Sequence, residues 1–177
     1  HSVHHPAREA TMRPTGLIAA MLTLFVGVAS AETLLHRAKR DQIVRVRPGD
    51  PDMAAAILKA RDSLPEFLRL VTDPRPTTTG FAVKIAIPAG KNKEFFWISP
   101  FEQRDGKFTG RINNTPRTAK TVKLGQVIEF REDEIVDWLY REDDRMHGNF
   151  TACALLKRQP RRQAEAVKKS YGLSCDP

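Results

Sequence analysis

Between Phe95 and Tyr140 the chain reads FFWISPFEQRDGKFTGRINNTPRTAKTVKLGQVIEFREDEIVDWLY, dense in aromatic and β-branched residues and broken at short intervals by turn formers. Such a stretch predicts short strands, because a period of two sends alternate side chains to opposite faces of a sheet. Aromatics at consecutive positions from Phe95 to Ile98 fit a central strand covered on both sides. Asp105-Gly106 closes a hairpin, after which Phe108, Gly110 and Ile112 face one way and Lys107, Thr109 and Arg111 the other. Asn113 to Ala119 reads as a loop containing Pro116. Val122 to Phe130 resumes strand character with Gly125 as a bulge or turn, Glu132 to Glu134 is a turn or single helical turn, and Ile135 to Tyr140 is a strand.

The flanks extend this sheet and add helices. Phe81, Val83, Ile85 and Ile87 alternate with Ala82, Lys84 and Ala86, a half-buried strand. Beyond the Asp143-Asp144 turn, Phe150, Ala152, Ala154 and Leu156 alternate as a further strand. Ahead of the sheet, Asp50-Pro51 offers an N-cap and a first-turn proline, and Met53, Ile57, Ala60 and Leu64 share one helical face. Ser63 and Glu66 have capping-box spacing around Pro65, which predicts a break near Asp62 and a second helix to about Val71. Gln159-Pro160 opens a last helix, with Ala164, Val167 and Tyr171 on one face and Gly172 as its C-cap. The fold class expected is therefore α+β: a curved antiparallel sheet of about five to six strands, with an N-terminal helix pair and a C-terminal helix packed on it.

Leu17 to Val28 is an apolar run too short to span a bilayer, preceded by Arg13 and followed by Ala29-Ser30-Ala31. That is a secretory signal pattern with cleavage after Ala31 and a true start at Met12. The expected organisation is a leader over 1–31, an extended segment over 32–49 with an edge strand around Ile43 to Val46, and one domain over 50–177. The expected compartment is periplasmic or secreted, and no apolar run after the cleavage site is long enough to span a membrane. Of five histidines only His36 and His147 lie beyond the leader, too few for a histidine metal site without carboxylates or thiolates. In an oxidising compartment Cys153 and Cys175 are expected to pair, since no C-x-x-C spacing suggests a redox or metal role.

From Ser63 to Leu156 the chain resembles the YegJ-like family of bacterial proteins, a domain of unknown function. The resemblance rests on Leu64-Pro-Glu-Phe67, Phe81-x-Val-Lys84, Glu94-Phe-Phe-Trp97-Ile98 and Phe108-x-Gly110-x-x-Asn113-Asn114-x-Pro116. It continues through Leu124-Gly125-x-x-Ile128, Ile135-x-Asp137-Trp138-x-Tyr140 and Gly148-x-x-Thr151. It implies a compact α+β domain and brings no activity, cofactor or catalytic residue. His147 stands where relatives carry a second glycine or a small apolar residue, so the resemblance implies no role for it.

Candidate chemistry is confined to a few polar groups. Asp137 beside Trp138 must be paired or capped in so apolar a strand. As an anchor it would hold Arg111, Lys120 or loop amides; as a general base it would work with His147 across a hairpin. Asn113 and Asn114 could present amides to a ligand or close a turn, and Arg111 and Trp138 complete the candidate ligand-binding set. No motif places a nucleophile, a metal quartet or a second carboxylate, so neither metal nor cofactor is expected. Basic residues interleave with Phe95, Phe96, Trp97, Phe101 and Phe108, but the charges scatter among acids and nucleic acid is not favoured. The net charge of +8 suits an envelope protein or anionic partner, with Lys157 to Arg162 as the most concentrated patch. The leading expectation is a non-catalytic binding or interaction module of the cell envelope. The alternatives are a small hydrolase using Asp137 and His147, and a periplasmic immunity or inhibitor protein.

Overall fold

The computed structural model describes residues 50–175. The expected leader, start, cleavage site, extended segment, its edge strand and His36 lie outside the described residues. Asp50 caps the first helix, α1 (Pro51–Thr72), by accepting the Met53 amide at 3.1 Å, and Pro51 sits where a missing N–H costs nothing. The helix is continuous, where the sequence predicts a pair. Ser63 does not cap a second helix; its hydroxyl donates back to the Lys59 carbonyl at 2.7 Å. The Trp138 indole donates to the Ala60 carbonyl at 2.9 Å. Neither acceptor is the Arg61 carbonyl that loses its helical donor at Pro65, and packing of Leu64 and Phe67 carries the helix through.

Six antiparallel strands follow: β1 (Thr78–Ala89), β2 (Asn92–Arg104), β3 (Lys107–Ile112), β4 (Val127–Phe130), β5 (Ile135–Glu142) and β6 (Arg145–Gly148), in the order β4-β3-β2-β1-β5-β6. Strand character after the Asn113 loop begins only at Val127, because Gly125 and Gln126 bond back to Ile112 and Lys123 as a turn. One face of the sheet packs on α1. Phe67 stacks on Trp138 with centroids 4.8 Å apart and lies with Leu64, Val83, Ile85, Phe96, Ile98, Phe108, Ile112 and Ile135 in the main core. Pro100 interrupts the β2–β3 ladder with a register shift between Ile98 and Phe101, which returns Phe101 to that core face.

Phe150 to Leu156, predicted as a strand, is a helix, α2 (Phe150–Leu156). A short apolar run fits either period, and the decision is tertiary: a side chain from β5 caps the helix start, as described below. A last helix, α3 (Arg161–Tyr171), ends at Gly172 in the left-handed region, φ 62°. Leu173 pairs with Met146 at the free edge of β6, and Cys153 on α2 is joined to Cys175. Met146, Leu156, Ala164 and Leu173 form a second small core with Leu139 and Val167. The register puts Leu139 and Met146 on the face opposite Trp138. The C-terminal helices thus cover the β5–β6 end of that face and reach Lys84 on β1, whereas Arg111 on β3 and Val127 on β4 stay exposed there.

Candidate functional site

Lys84 and Asp137 are direct cross-strand partners on β1 and β5, pointing away from the α1 face. Asp137 is fully buried. One carboxylate oxygen accepts the Trp138 amide at 2.9 Å and the Phe150 amide at 3.2 Å, and the other accepts the Thr151 amide at 2.8 Å and its hydroxyl at 2.5 Å. Asp137 therefore supplies the cap that Asn149 does not give α2. The Lys84 ammonium lies 3.7 Å from the same carboxylate, 2.5 Å from the Thr151 hydroxyl and 4.3 Å from the centre of the Trp97 ring. Burial pushes the Lys84 pKa down, and the charge and hydrogen bond of Asp137 oppose that without cancelling it. The expected partners Arg111 and Lys120 are not the ones used: the cation is Lys84, and the amides are those of a helix.

A second buried carboxylate is held by the backbone amides and one hydroxyl of a loop. Glu94 accepts the amides of Arg117 at 2.8 Å, Thr118 at 2.9 Å and Ala119 at 2.7 Å, and the Thr118 hydroxyl at 2.9 Å. Burial raises the Glu94 pKa, but these donors outweigh it and hold the carboxyl below the usual range. Asn114 fastens the same loop: its amide oxygen accepts the Trp97 N–H at 2.7 Å, continuing the β2 ladder where β3 has ended. Glu94 and Asn114 thus fix the Asn113 to Ala119 loop against the sheet.

The remaining candidate residues do not converge. Trp138 is buried in the main core beneath α1. His147 lies opposite Tyr140 and stacks on its ring at 4.7 Å, on the α1 side of the sheet, whereas the strand period sends Asp137 to the other side. A catalytic pair of Asp137 and His147 is therefore not assembled. Glu142, 4.0 Å from His147, is itself held by two guanidinium nitrogens of Arg75 at 2.7 and 2.9 Å. No group of three or more His, Cys, Asp or Glu side chains among the described residues is placed to hold a metal. A shallow groove lined by Pro65, Leu68, Arg69 and Gln103 lies away from all of these candidates.

Asn113 and Arg111 are exposed on the face opposite α1, beside two half-buried aromatics, Phe95 and Trp97, that belong to neither core. Val127, paired with Arg111 across β3 and β4, is 52% exposed. Together these side chains make an aromatic shelf with the Lys84 cluster at one side. A match to the family described as "Uncharacterized protein conserved in bacteria (DUF2314)" covers residues 50–175. This chain belongs to that family. It is also 30% identical over 116 residues to the uncharacterized protein YegJ of Escherichia coli (strain K12), covering 66% of this chain and 74% of that protein. No solved structure matches.

Lys84 and Glu94 escaped the sequence-based choice of site residues for different reasons. Lys84 sits at an alternating position that reads as solvent-facing, and its burial depends on Thr151 and Asn149 more than sixty residues later. Glu94 precedes four consecutive apolar residues, which is the only local sign that its carboxylate would be buried.

Proposed function

We propose that the protein is an exported, non-catalytic interaction module whose partner-binding surface is the shelf of Phe95, Trp97, Arg111, Asn113 and Val127. The observation that carries this reading is the contrast between the buried ionisable groups and the shelf. Lys84, Glu94 and Asp137 are consumed by intramolecular partners, whereas Phe95 and Trp97 remain partly exposed outside both cores. Aromatic and arginine side chains on an open face are those that anchor protein interfaces, through large rigid contact area and forked hydrogen bonding. The partner is an envelope protein, and export rests on the signal pattern of residues 17–31.

A photo-reactive amino acid placed at Asn113 tests this in cells exporting the protein. The expected result is one discrete cross-linked species, absent when the same probe replaces the exposed Glu66 on α1. Cross-linking that is equal at both positions, or absent at Asn113, overturns the assignment of the shelf. Fractionation of the same cells tests export: full-length, unprocessed protein in the cytoplasm would refute it.

A further inference from the structure

A second surface, independent of the shelf, carries a different chemistry. Residues 157–171 hold six basic side chains and a single acid, Glu165. Two of those cations are committed elsewhere: Arg158 pairs with Asp50 and Asp52 at the start of α1, and Lys168 reaches Glu165 at 3.1 Å. Arg161, Arg162 and Lys169 are exposed and have no carboxylate within ion-pair distance among the described residues. Lys157 is 69% exposed and only grazes Asp52, at 3.6 Å.

The packing of α3 explains why these charges face outward together. Ala164 is buried, and Val167 and Tyr171 pack in the second core, which takes up the one apolar side of the helix. Helical spacing then sends Arg162 and Lys169 to the opposite side, with Arg161 and Lys157 at its leading end. The Cys153–Cys175 bond and the pairing of Leu173 with Met146 hold the helix in that attitude. Helix stability does not account for Arg161 and Arg162, because cations in a first turn oppose the helix dipole.

We infer that the outward side of α3, with Lys157, Arg161, Arg162 and Lys169, docks on the anionic headgroups of a phospholipid bilayer. Charge complementarity selects that occupant. The cations spread along one side over a span of thirteen residues, on flexible side chains, with no exposed aromatic among them, which suits a diffuse layer of charge rather than a shaped acidic epitope. With its apolar side occupied by the protein's own core, α3 has nothing to insert into the hydrocarbon, so attachment is electrostatic and reversible.

Co-sedimentation of the intact, disulfide-bonded protein with vesicles of equal parts phosphatidylglycerol and phosphatidylcholine provides the test. Binding to these vesicles is expected, with none to phosphatidylcholine alone, and with loss in high salt as the Debye length shrinks. Each cation near an anionic surface contributes roughly fivefold in affinity, so Arg162→Glu with Lys169→Glu should weaken binding by at least about 25-fold. Circular dichroism and thermal melting confirm that the double variant is folded, and Lys107→Glu on the sheet serves as a variant expected to bind almost normally. Equal binding to neutral vesicles, no binding to anionic ones, or binding undiminished in the double variant overturns the inference. So does tighter binding to soluble polyglutamate than to vesicles, which would make the partner an acidic polypeptide.

Discussion

Replacing Asp137 with asparagine keeps the shape of the side chain and removes its charge. The amide can accept through one atom only, whereas the carboxylate receives three backbone amides and a hydroxyl through two. Its NH2 would face donors, and Lys84 would be left buried without a counter-ion. Removing one member of a buried pair costs about 3–5 kcal/mol, a large share of the roughly 5–15 kcal/mol that holds a domain together. Lys84→Met should cost less, about 1–3 kcal/mol, because Asp137 would keep its four donors. The double variant, freed of the stranded lysine, should be less destabilised than the sum of the single ones by about 1–3 kcal/mol. Urea unfolding followed by circular dichroism measures this. At a slope of about 2 kcal/mol per molar, D137N should shift the midpoint by roughly 2 M. A D137N protein within about 1 kcal/mol of the parent, or strict additivity in the cycle, would refute the anchoring role.

Three further outcomes follow from the same geometry. Glu94→Gln should lower stability at neutral pH by about 2–4 kcal/mol through lost charge-assisted bonds. The folded carboxyl titrates below its unfolded value of about 4.3, so its contribution is present above that pH and lost as pH falls through the folded value. Urea midpoints of parent and variant should therefore draw together on acidification, and a gap that widens would contradict the assignment. Replacing both Cys153 and Cys175 with serine should cost about 3 kcal/mol for a loop with a sequence separation of 22, and a reducing agent should lower the melting temperature of the parent but not of the variant. Gly148→Ala should cost roughly 2–4 kcal/mol in the same unfolding assay, because φ is +77° and the new Cβ would meet the Trp138 carbonyl oxygen and lie 2.6 Å from its ring.

The sheet was legible because its signals are local. The period of two in Phe81 to Ile87 and Phe108 to Ile112, and the turn at Asp105-Gly106, need no distant partner to be read. The pairing of Cys153 with Cys175 was legible too, from the expected compartment and the cysteine count. The misread elements all depend on contacts remote in the chain. Phe150 to Leu156 is helical because Asp137, thirteen residues upstream of Phe150, caps its first amides. Helix α1 runs on past Pro65 while Phe67 packs on Trp138, about seventy residues away in the chain. Spacing identified Asp137 as a residue needing an explanation but could not tell which cation it meets, since that depends on the β1–β5 register. Consecutive aromatics from Phe95 to Ile98 suggest a strand covered on both sides, but the core takes Phe96 and Ile98 and leaves out Phe95 and Trp97. Their neighbours alternate in burial, and which face remains uncovered is decided by where α1, α2 and α3 settle.

The role of the shelf can be tested in one measurement on one protein, the yield of cross-linking from a probe at Asn113 after Phe95→Ala and Trp97→Ala, with the melting temperature recorded on the same sample. A binding surface predicts a folded protein, destabilised by no more than about 2 kcal/mol for the lost contact between Lys84 and the Trp97 ring, and a cross-link reduced at least tenfold. An unchanged cross-link in the folded double variant would contradict it, as would a collapse in stability of the size expected for emptying a core.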